Sequence, residues 1–321
     1  NAVLRRVAEH RDALPEIPGA GTADYLAVRY SHPQWLAQRY IDAHGYAFAE
    51  QALAANNADA PACLQVNTLK TTTDALAVSL RADGIETQLH PWLPDALLCR
   101  GGNLAAARAF ADGWFYVQDA AAHCAVLAAG VRPGMRVLDA CAAPGGKSLT
   151  LAEAMQDKGQ LVSGEFVPAR VPLLQQAFDR CGITCAVAVE NDATQHNSDW
   201  PTFDRVLCDV PCSGLGVIAK KPDIRYKDLD GIENLLAAQQ KILQNGADSL
   251  AENGRLVYST CTVNDKENQA QVEKFLSANP DFHVVLPETA LPGADITPLG
   301  TLFLPHRTGT DGFFAAILER N

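Results

Sequence analysis

The alternation of short apolar runs with helical segments after residue 117 is the strongest constraint on the fold of this chain. Helical segments such as 167–182 and 228–254 separate runs of strand length. The apolar runs are MRVLDAC (135–141), QLVSGEF (160–166), CAVAVEN (185–191), FDRVLCDV (203–210) and GRLVYSTC (254–261). This alternation predicts a doubly wound, mostly parallel sheet with helices on both faces. Such sheets bind ligands beyond the carboxyl ends of their strands.

The first third of the chain has a different pattern. Aromatic and aliphatic residues recur at helical spacing between residues 24 and 57, and Pro33 stands where a helix can begin. The predicted elements that follow are a strand at 64–70, a helix at 72–84, and strands at 86–90 and 96–100. We therefore assign 24–116 to a small α+β module and 117–321 to the domain of the larger sheet.

Composition limits the class of protein. A chain of 321 residues is too long for one ordinary core, and 48% hydrophobic with 20% charged residues is typical of a globular protein. The longest apolar run, Ala120 to Val131, is interrupted by His123 and is too short to cross a bilayer. The nine cysteines are scattered without a CxxC pair, which favours a reducing, cytoplasmic compartment.

The charge balance is unusual for a nucleic-acid-binding protein. Lys and Arg number 26 against 37 Asp and Glu, a net charge of −11, whereas phosphate binding normally requires a basic surface. One basic segment exists, IAKKPDIRYK (218–227), which contains Lys220, Lys221, Arg225 and Lys227. Such a segment is by itself more typical of a solvated loop than of a binding site.

A glycine-rich turn follows the first strand of the predicted sheet. In LDACAAPGGKSLT (138–150), Gly145 and Gly146 permit a tight turn, and a helix starts at about Lys147. A phosphate-binding P-loop requires glycine where this chain has Cys141, and the dinucleotide pattern GxGxxG is absent. The turn, with Asp139 at the strand end, therefore suits the amino-acid part of a nucleoside ligand.

Acidic residues also end the next two strands. Glu165 is placed to accept hydrogen bonds from ribose hydroxyls, and Asp192 is within reach of an adenine edge. Either residue alone is more often a solvated loop residue. Because acids recur at successive strand ends, the ligand interpretation is favoured.

Two cysteines follow the last two strands. The fourth strand ends in CDVPCSG (208–214), which contains Asp209 and Cys212, and the fifth ends in YSTCT (258–262), which contains Cys261. We expect both strands to neighbour the first one, so that both thiols face the ligand pocket. Free cysteines are commonly small buried hydrophobes. That interpretation is kept for the others: Cys63, Cys99, Cys124, Cys181, Cys185 and Cys208. The CxxxC spacings and the absence of a histidine pair disfavour a metal site.

The segments DACAAPGGKS, DVPCSG and YSTC, in this order and spacing, resemble the Sun-type RNA cytosine-5 methyltransferases over essentially the whole chain. NAVLRR, YSHPQWL, YVQDAAA, KPDIRYK and GTDGFFAAILER are similar to the bacterial branch that methylates small-subunit ribosomal RNA. The resemblance implies a Rossmann-like class I methyltransferase domain preceded by a small α+β RNA-binding module. It also implies that residues 1–23 are the tail of a NusB-like N-terminal domain and a linker.

The resemblance also implies a mechanism. Cys261 would be the nucleophile, Cys212 would assist breakdown of the adduct, and Asp209 would bond the pyrimidine edge near N3 or lie at the cofactor methyl group. The cofactor would be S-adenosylmethionine, and no metal or membrane would take part. The residues expected at the cofactor are Cys141, Ala142, Ala143, Pro144, Gly145, Gly146, Lys147, Glu165, Asp192 and Asp209. The ribose-binding acid of the family is usually Asp, whereas this chain has Glu165 at that position. We therefore expect the cofactor to be held more weakly or in a shifted position.

The resemblance implies 16S ribosomal RNA as the substrate. A single-stranded or loop region is expected, because the target base must leave its stack. Two alternatives remain: an enzyme of the same fold that acts on transfer RNA or another ribosomal site, and a non-catalytic RNA-binding assembly factor. The presence of both Cys212 and Cys261 disfavours the second. A DNA cytosine-5 enzyme would carry its nucleophile in the Pro-Cys motif alone.

Overall fold

The computed structural model describes residues 2–13, 15–227, 229–287 and 292–320. The α-helices are α1 Ala2–Glu9, α2 Ala23–Tyr30, α3 Gln34–His44, α4 Tyr46–Ala55, α5 Thr73–Ala82, α6 Arg108–Ala111, α7 Ala120–Leu127, α8 Gly146–Ala154, α9 Val171–Cys181, α10 Ile232–Asp248, α11 Gln269–Ala278 and α12 Pro305–Thr308. The strands are β1 Ala62–Val66, β2 Thr87–Leu89, β3 Ala96–Cys99, β4 Phe115–Val117, β5 Arg136–Asp139, β6 Gln160–Glu165, β7 Ala186–Glu190, β8 Phe203–Asp209, β9 Leu250–Thr260, β10 Phe282–Val285, β11 Asp295–Thr297, β12 Gly300–Phe303 and β13 Phe313–Arg320.

The N-terminal elements form three packed helices followed by a small antiparallel sheet of order β2-β3-β1-β4. Helices α2, α3 and α4 bury Leu26, Leu36 and Leu53 in one cluster. The strand predicted at 64–70 is shifted and shorter, because the chain turns at Asn67. The side-chain amide of Asn67 donates to the carbonyl oxygens of Gly113 and Cys181, at 2.8 Å each.

The large sheet has the order β11-β12-β13-β9-β8-β5-β6-β7, and β10 pairs with β13. Strands β7, β6, β5, β8 and β9 are mutually parallel, whereas β13 runs antiparallel to β9, β12 and β10. Helices cover both faces: Phe275 and Tyr258 belong to one core cluster, and Leu149 and Phe178 belong to another. The predicted fold class, a doubly wound and mostly parallel sheet, is confirmed.

One expectation about strand order was wrong. Strand β8 lies beside β5, but β9 is one strand further away and pairs with β8 and β13. The winding direction changes at β5, since β6 and β7 continue to one side and β8 and β9 to the other. The carboxyl ends of β5 and β8 therefore flank the switch point where ligands of such sheets bind. Within the described ranges, no helix is long and apolar enough to span a membrane.

Candidate active site

The turn after β5 is held by backbone hydrogen bonds. The amide of Ala142 donates to the carbonyl of Gly164 at 2.8 Å, and the amide of Gly145 donates to the carbonyl of Ala142 at 2.8 Å. Gly145 has φ 107°, in the region that residues with a side chain rarely adopt, and α8 begins at the next residue. The N-terminal amides of α8 thus face the space beyond β5 and β8.

Asp139 is completely buried at the end of β5. Its Oδ2 atom accepts a hydrogen bond of 2.7 Å from Ser148, which in turn accepts one of 2.9 Å from Ser163. Its Oδ1 atom has no hydrogen-bond partner among the described residues. Burial raises the pKa of Asp139 to about 6, and the hydrogen bond from Ser148 offsets part of that effect.

Glu165 and Asp192 stand at the next two strand ends, as predicted, but they differ in burial and in their hydrogen-bond partners. Glu165 is 6% exposed, and its Oε1 atom accepts a hydrogen bond of 2.8 Å from the amide of Val167. Asp192 accepts from the amide and hydroxyl of Thr194 at 2.9 and 2.7 Å, and from Gln195 at 2.9 Å. The hydrogen bond from the Thr194 hydroxyl is the main reason that the pKa of Asp192 is lowered. Asp192 is therefore bonded within its own turn.

An ion pair that sequence reasoning missed lies between the ends of β5 and β8. Lys147 Nζ is 2.7 Å from Asp209 Oδ2, and the two side chains are 19% and 21% exposed. The other oxygen of Asp209 accepts a hydrogen bond of 2.8 Å from Ser259. Burial is the largest single effect and opposes the charge of Lys147, but Asp209, together with Asp139 and Cys261, outweighs it, so the pKa of Lys147 is raised. Lys147 and Asp209 are thus fixed as a charged pair.

The two predicted thiols are in contact: Cys212 Sγ lies 3.3 Å from Cys261 Sγ. A hydrogen bond from Cys212 lowers the pKa of Cys261, and the charge of Lys147 acts in the same direction against burial, Asp209 and Asp311. The same hydrogen bond, together with burial, raises the pKa of Cys212 well above its ordinary value. Of the two thiols, Cys261 is therefore the one whose deprotonation is favoured, and Cys212 is its hydrogen-bond partner.

The other seven cysteines have raised pKa values, in contrast to the lowered pKa of Cys261. Burial is the first cause of a raised pKa at Cys63, Cys99, Cys124, Cys141, Cys181, Cys185 and Cys208. An apolar environment disfavours the thiolate and makes a cysteine unreactive. Among the cysteines, all of which are described, Cys261 is thus distinguished by a lowered pKa.

The basic segment 218–227 is only in part the solvated loop that the sequence suggested, because two of its four basic side chains are bound to the rest of the protein. Lys220 is ion-paired with Asp119 at 2.8 Å and Asp311 at 3.0 Å. Arg225 is 8% exposed and donates to the carbonyl of Ser31 at 2.8 Å, so it attaches this segment to the N-terminal helices. Lys221 and Lys227 remain exposed. The segment was interpreted as a loop because sequence does not show which acids fold against it.

Residues 126–319 match the family described as 16S rRNA methyltransferase RsmB/F, and residues 32–102 match its ferredoxin-like domain. The chain belongs to the RsmB/F methyltransferase family. A probable ribosomal RNA small subunit methyltransferase B of Bacillus subtilis is 36% identical over 100% of this chain and 73% of its own length. The ribosomal RNA small subunit methyltransferase B of Vibrio cholerae is 34% identical over 100% of this chain and 71% of its own.

A methyltransferase homologue from Pyrococcus horikoshii has a similar structure. Its TM-score is 0.79 at 25% identity, and the match covers 92% of this chain and 98% of the homologue. Together with the family match, this confirms the resemblance seen in the sequence. The protein is an RNA methyltransferase that uses S-adenosylmethionine.

The residues at the switch point fit this cofactor. The buried, unpartnered Oδ1 atom of Asp139 can accept a hydrogen bond from an ammonium group, as carried by the amino-acid part of S-adenosylmethionine. The nearly buried carboxylate of Glu165 at the end of β6 can accept hydrogen bonds from ribose hydroxyls. Asp192, by contrast, already accepts hydrogen bonds from Thr194 and Gln195 in its own turn, so a bond to the cofactor would come in addition to these.

Proposed function

We propose that this enzyme methylates carbon 5 of a cytosine in 16S ribosomal RNA through a covalent bond between Cys261 and carbon 6 of the base. The observation that carries the proposal is the thiol pair at the ends of β8 and β9. Its sulfur atoms are 3.3 Å apart, and the pKa of Cys261 is lowered while that of Cys212 is raised. A stabilised thiolate beside a proton donor is what nucleophilic catalysis followed by elimination requires.

Carbon 5 of cytosine is too weak a nucleophile to accept a methyl group unaided. The Cys261 thiolate adds to carbon 6, and the electrons of the C5–C6 double bond make carbon 5 nucleophilic. S-adenosylmethionine supplies the electrophilic methyl group. Once carbon 5 is methylated, a base such as a water molecule takes its proton, the electrons of that C–H bond form the double bond again, and the bond between sulfur and carbon 6 breaks. The electrons of the broken bond return to sulfur, so Cys261 leaves as a thiolate, and its hydrogen bond from Cys212 favours that step.

The remaining site residues bind and orient. Asp139, Glu165, Asp192 and the turn at residues 141–147 would hold the cofactor. Asp209 would bond the pyrimidine edge near N3 or lie at the methyl group. Its ion pair with Lys147 and its bond to Ser259 support a fixed carboxylate there.

The choice of RNA rests on the relatives, whose names describe ribosomal small-subunit methyltransferases. Bisulfite mapping of RNA from cells that lack the gene tests it: one cytosine of 16S RNA should lose its methyl group. Loss of methylation in transfer RNA or at another ribosomal RNA site would instead support the other substrates. No loss at any cytosine would favour the non-catalytic alternative.

The roles of the two thiols are tested with alanine variants. Cys261→Ala should abolish methylation and any covalent RNA complex, because no nucleophile remains. Cys212→Ala should still attack and transfer the methyl group, more slowly because Cys261 loses the hydrogen bond that lowers its pKa, yet accumulate a protein–RNA adduct that survives denaturing electrophoresis, because elimination is the step that needs Cys212. Cys185→Ala, which removes a thiol with a raised pKa outside the site, is the control and should behave as wild type. An adduct in Cys261→Ala instead of Cys212→Ala would exchange the two roles.

A further inference from the structure

Glu267, six residues after Cys261, is completely buried and stands in the short turn before α11. Its carboxylate receives hydrogen bonds from Gln239 Nε2 at 3.1 Å and Asn264 Nδ2 at 2.7 Å. It also receives two from Ser213, from the amide at 2.7 Å and from the hydroxyl at 2.5 Å. Each of its two oxygens therefore accepts from two donors. A group that presented a proton of its own would meet the amide N–H of Ser213 at the Oε1 position and the amide nitrogen of Asn264 at the Oε2 position, both of which donate.

The donors come from the chain segments that carry the two thiols. Ser213 follows Cys212 directly, and Asn264 belongs to the turn that follows Cys261. The hydroxyl of Ser213 also contacts that of Thr262, next to Cys261, at 2.8 Å. The carboxylate thus joins the two segments immediately behind the sulfur atoms.

Two further contacts restrain this arrangement from outside. Gln239 on α10 donates both to Glu267 and, at 2.9 Å, to the carbonyl of Pro211, the residue before Cys212. Arg39 on α3 donates to Asn264 Oδ1, which turns the amide nitrogen of Asn264 toward Glu267. The network therefore extends from the N-terminal helices to the base of the Cys212 segment.

We propose that Glu267 is a positioning residue that holds the Cys212 and Cys261 segments together and thereby sets the contact between their sulfur atoms. The two thiols lie beyond the ends of different strands, and a thiol–thiol hydrogen bond is weak. A buried carboxylate with four donors is a much stronger link between the same two segments. The effect of this positioning role on catalysis rests on the proposed function, whereas its effect on the reactivity of the Cys261 thiol does not.

Glu267→Gln tests this inference because it keeps the shape of the side chain but places an NH₂ group against the amide of Ser213 or that of Asn264, each of which donates to the carboxylate. The pH dependence of Cys261 alkylation by iodoacetamide, followed by mass spectrometry of the peptide that contains it, should move to higher pH, because the hydrogen bond from Cys212 is lost. The kcat for RNA methylation should fall by about 10- to 100-fold, the loss typical of a displacement near 1 Å. The affinity for S-adenosylmethionine, measured by calorimetry, should remain that of wild type.

Glu273→Gln is the matched control, since Glu273 is exposed on α11 and the substitution is the same. It should leave the alkylation profile and kcat unchanged. A folded Glu267→Gln protein with the wild-type alkylation profile would overturn the proposal.

If Glu267→Gln does not fold, Ser213→Ala decides, because it removes one donor and keeps the backbone bond to Glu267. A smaller shift of the Cys261 profile in the same direction supports the positioning role, and an unshifted profile overturns it. The alkylation assay contains no RNA, so a wild-type enzyme inactive on cytosine would refute the proposed function without affecting this result.

Discussion

At the scale of single residues, sequence motifs singled out the candidate catalytic groups but not their protonation or partners. Cys212 and Cys261 were singled out because they follow strand ends, and the structure places their sulfur atoms 3.3 Å apart. The ion pair of Lys147 with Asp209 and the buried Glu267 were not found. A charged residue near a helix start has no sequence signal that separates a buried partner from a solvated one.

Glu165 should contribute directly to cofactor affinity. Glu165→Ala removes a carboxylate that is 6% exposed, so a ribose hydroxyl would lose its acceptor, at about 1–3 kcal/mol. Calorimetric titration with S-adenosylmethionine should show a dissociation constant raised by about one to two orders of magnitude. Glu190→Ala is the control, because Glu190 is an exposed acid at the end of β7. Unchanged affinity in Glu165→Ala would remove Glu165 from the site.

Asp139 should make the cofactor-free protein less stable as the pH rises. Its pKa is raised from 3.8 to about 6 by burial, so the native state holds the proton over a range where the unfolded chain has released it. The free energy of unfolding therefore falls between about pH 4 and pH 6, by about 2–3 kcal/mol, and does not recover above that range.

Asp139→Asn should remove this dependence. Relative to wild type, the variant should gain about 2 kcal/mol in unfolding free energy between pH 4.5 and pH 7, as measured by urea titration without cofactor. It should also bind S-adenosylmethionine more weakly, because the unpartnered oxygen of Asp139 is no longer a carboxylate oxygen. A stability difference that is constant with pH would contradict the shifted pKa.

At the scale of elements, the existence of the five parallel strands could be read from the sequence, because buried strands are continuous apolar runs. Their lateral order could not. The expectation that β9 borders β5 was wrong, since strand order depends on which helix crosses which face and not on local pattern. The predicted strand boundaries were also imprecise. Strand β9 begins at Leu250, four residues before the predicted start at Gly254. Asn253 (φ 59°) and Gly254 have the sequence of a turn, but both lie within the strand.

The turn between β5 and α8 depends on the conformation of Gly145. Gly145→Ala would place a methyl group at φ 107° and 3.1 Å from Leu174 Cδ2. We expect a loss of about 1–3 kcal/mol in unfolding free energy and a clear loss of cofactor affinity, because the turn must move.

Gly134→Ala separates strain from displacement of the site. Gly134 has φ 89°, but a methyl group there meets nothing within 4 Å. The Gly134→Ala variant should be less stable in thermal unfolding, while its affinity for S-adenosylmethionine, measured by calorimetry, should remain that of wild type. Equal cofactor affinities in the two variants would show that the turn at Gly145 does not shape the site.

At the scale of the whole molecule, the net charge of −11 makes weak and strongly salt-dependent RNA binding the expectation for this chain. Within the basic segment 218–227, Lys220 and Arg225 have a structural role, whereas Lys221 and Lys227 are exposed. Lys220 bridges Asp119 at the start of α7 and Asp311 before β13, so one lysine connects three distant parts of the chain. Sequence separation of about 90 to 190 residues hides such contacts from any local pattern.

Lys220→Met and Lys221→Met should therefore have different effects on the free energy of unfolding, although the two residues are adjacent. Lys220→Met leaves two carboxylates, 11% and 13% exposed, without their cation, and should cost about 1–3 kcal/mol in unfolding free energy at pH 7.5. Lys221→Met removes an exposed charge, so it should leave stability unchanged and weaken RNA binding at low salt.

The pH dependence of the Lys220 variant provides the sharper test. Burial and the neighbouring Asp119 raise the pKa of Asp311 to about 6, even with Lys220 present. Lowering the pH from 7.5 to 5 protonates Asp311 and removes its repulsion with Asp119, so the stability loss of Lys220→Met should shrink at pH 5. Urea unfolding of both variants at the two pH values measures this directly. A loss of equal size at both would mean that Lys220 stabilises the protein through packing of its aliphatic chain and not through its charge.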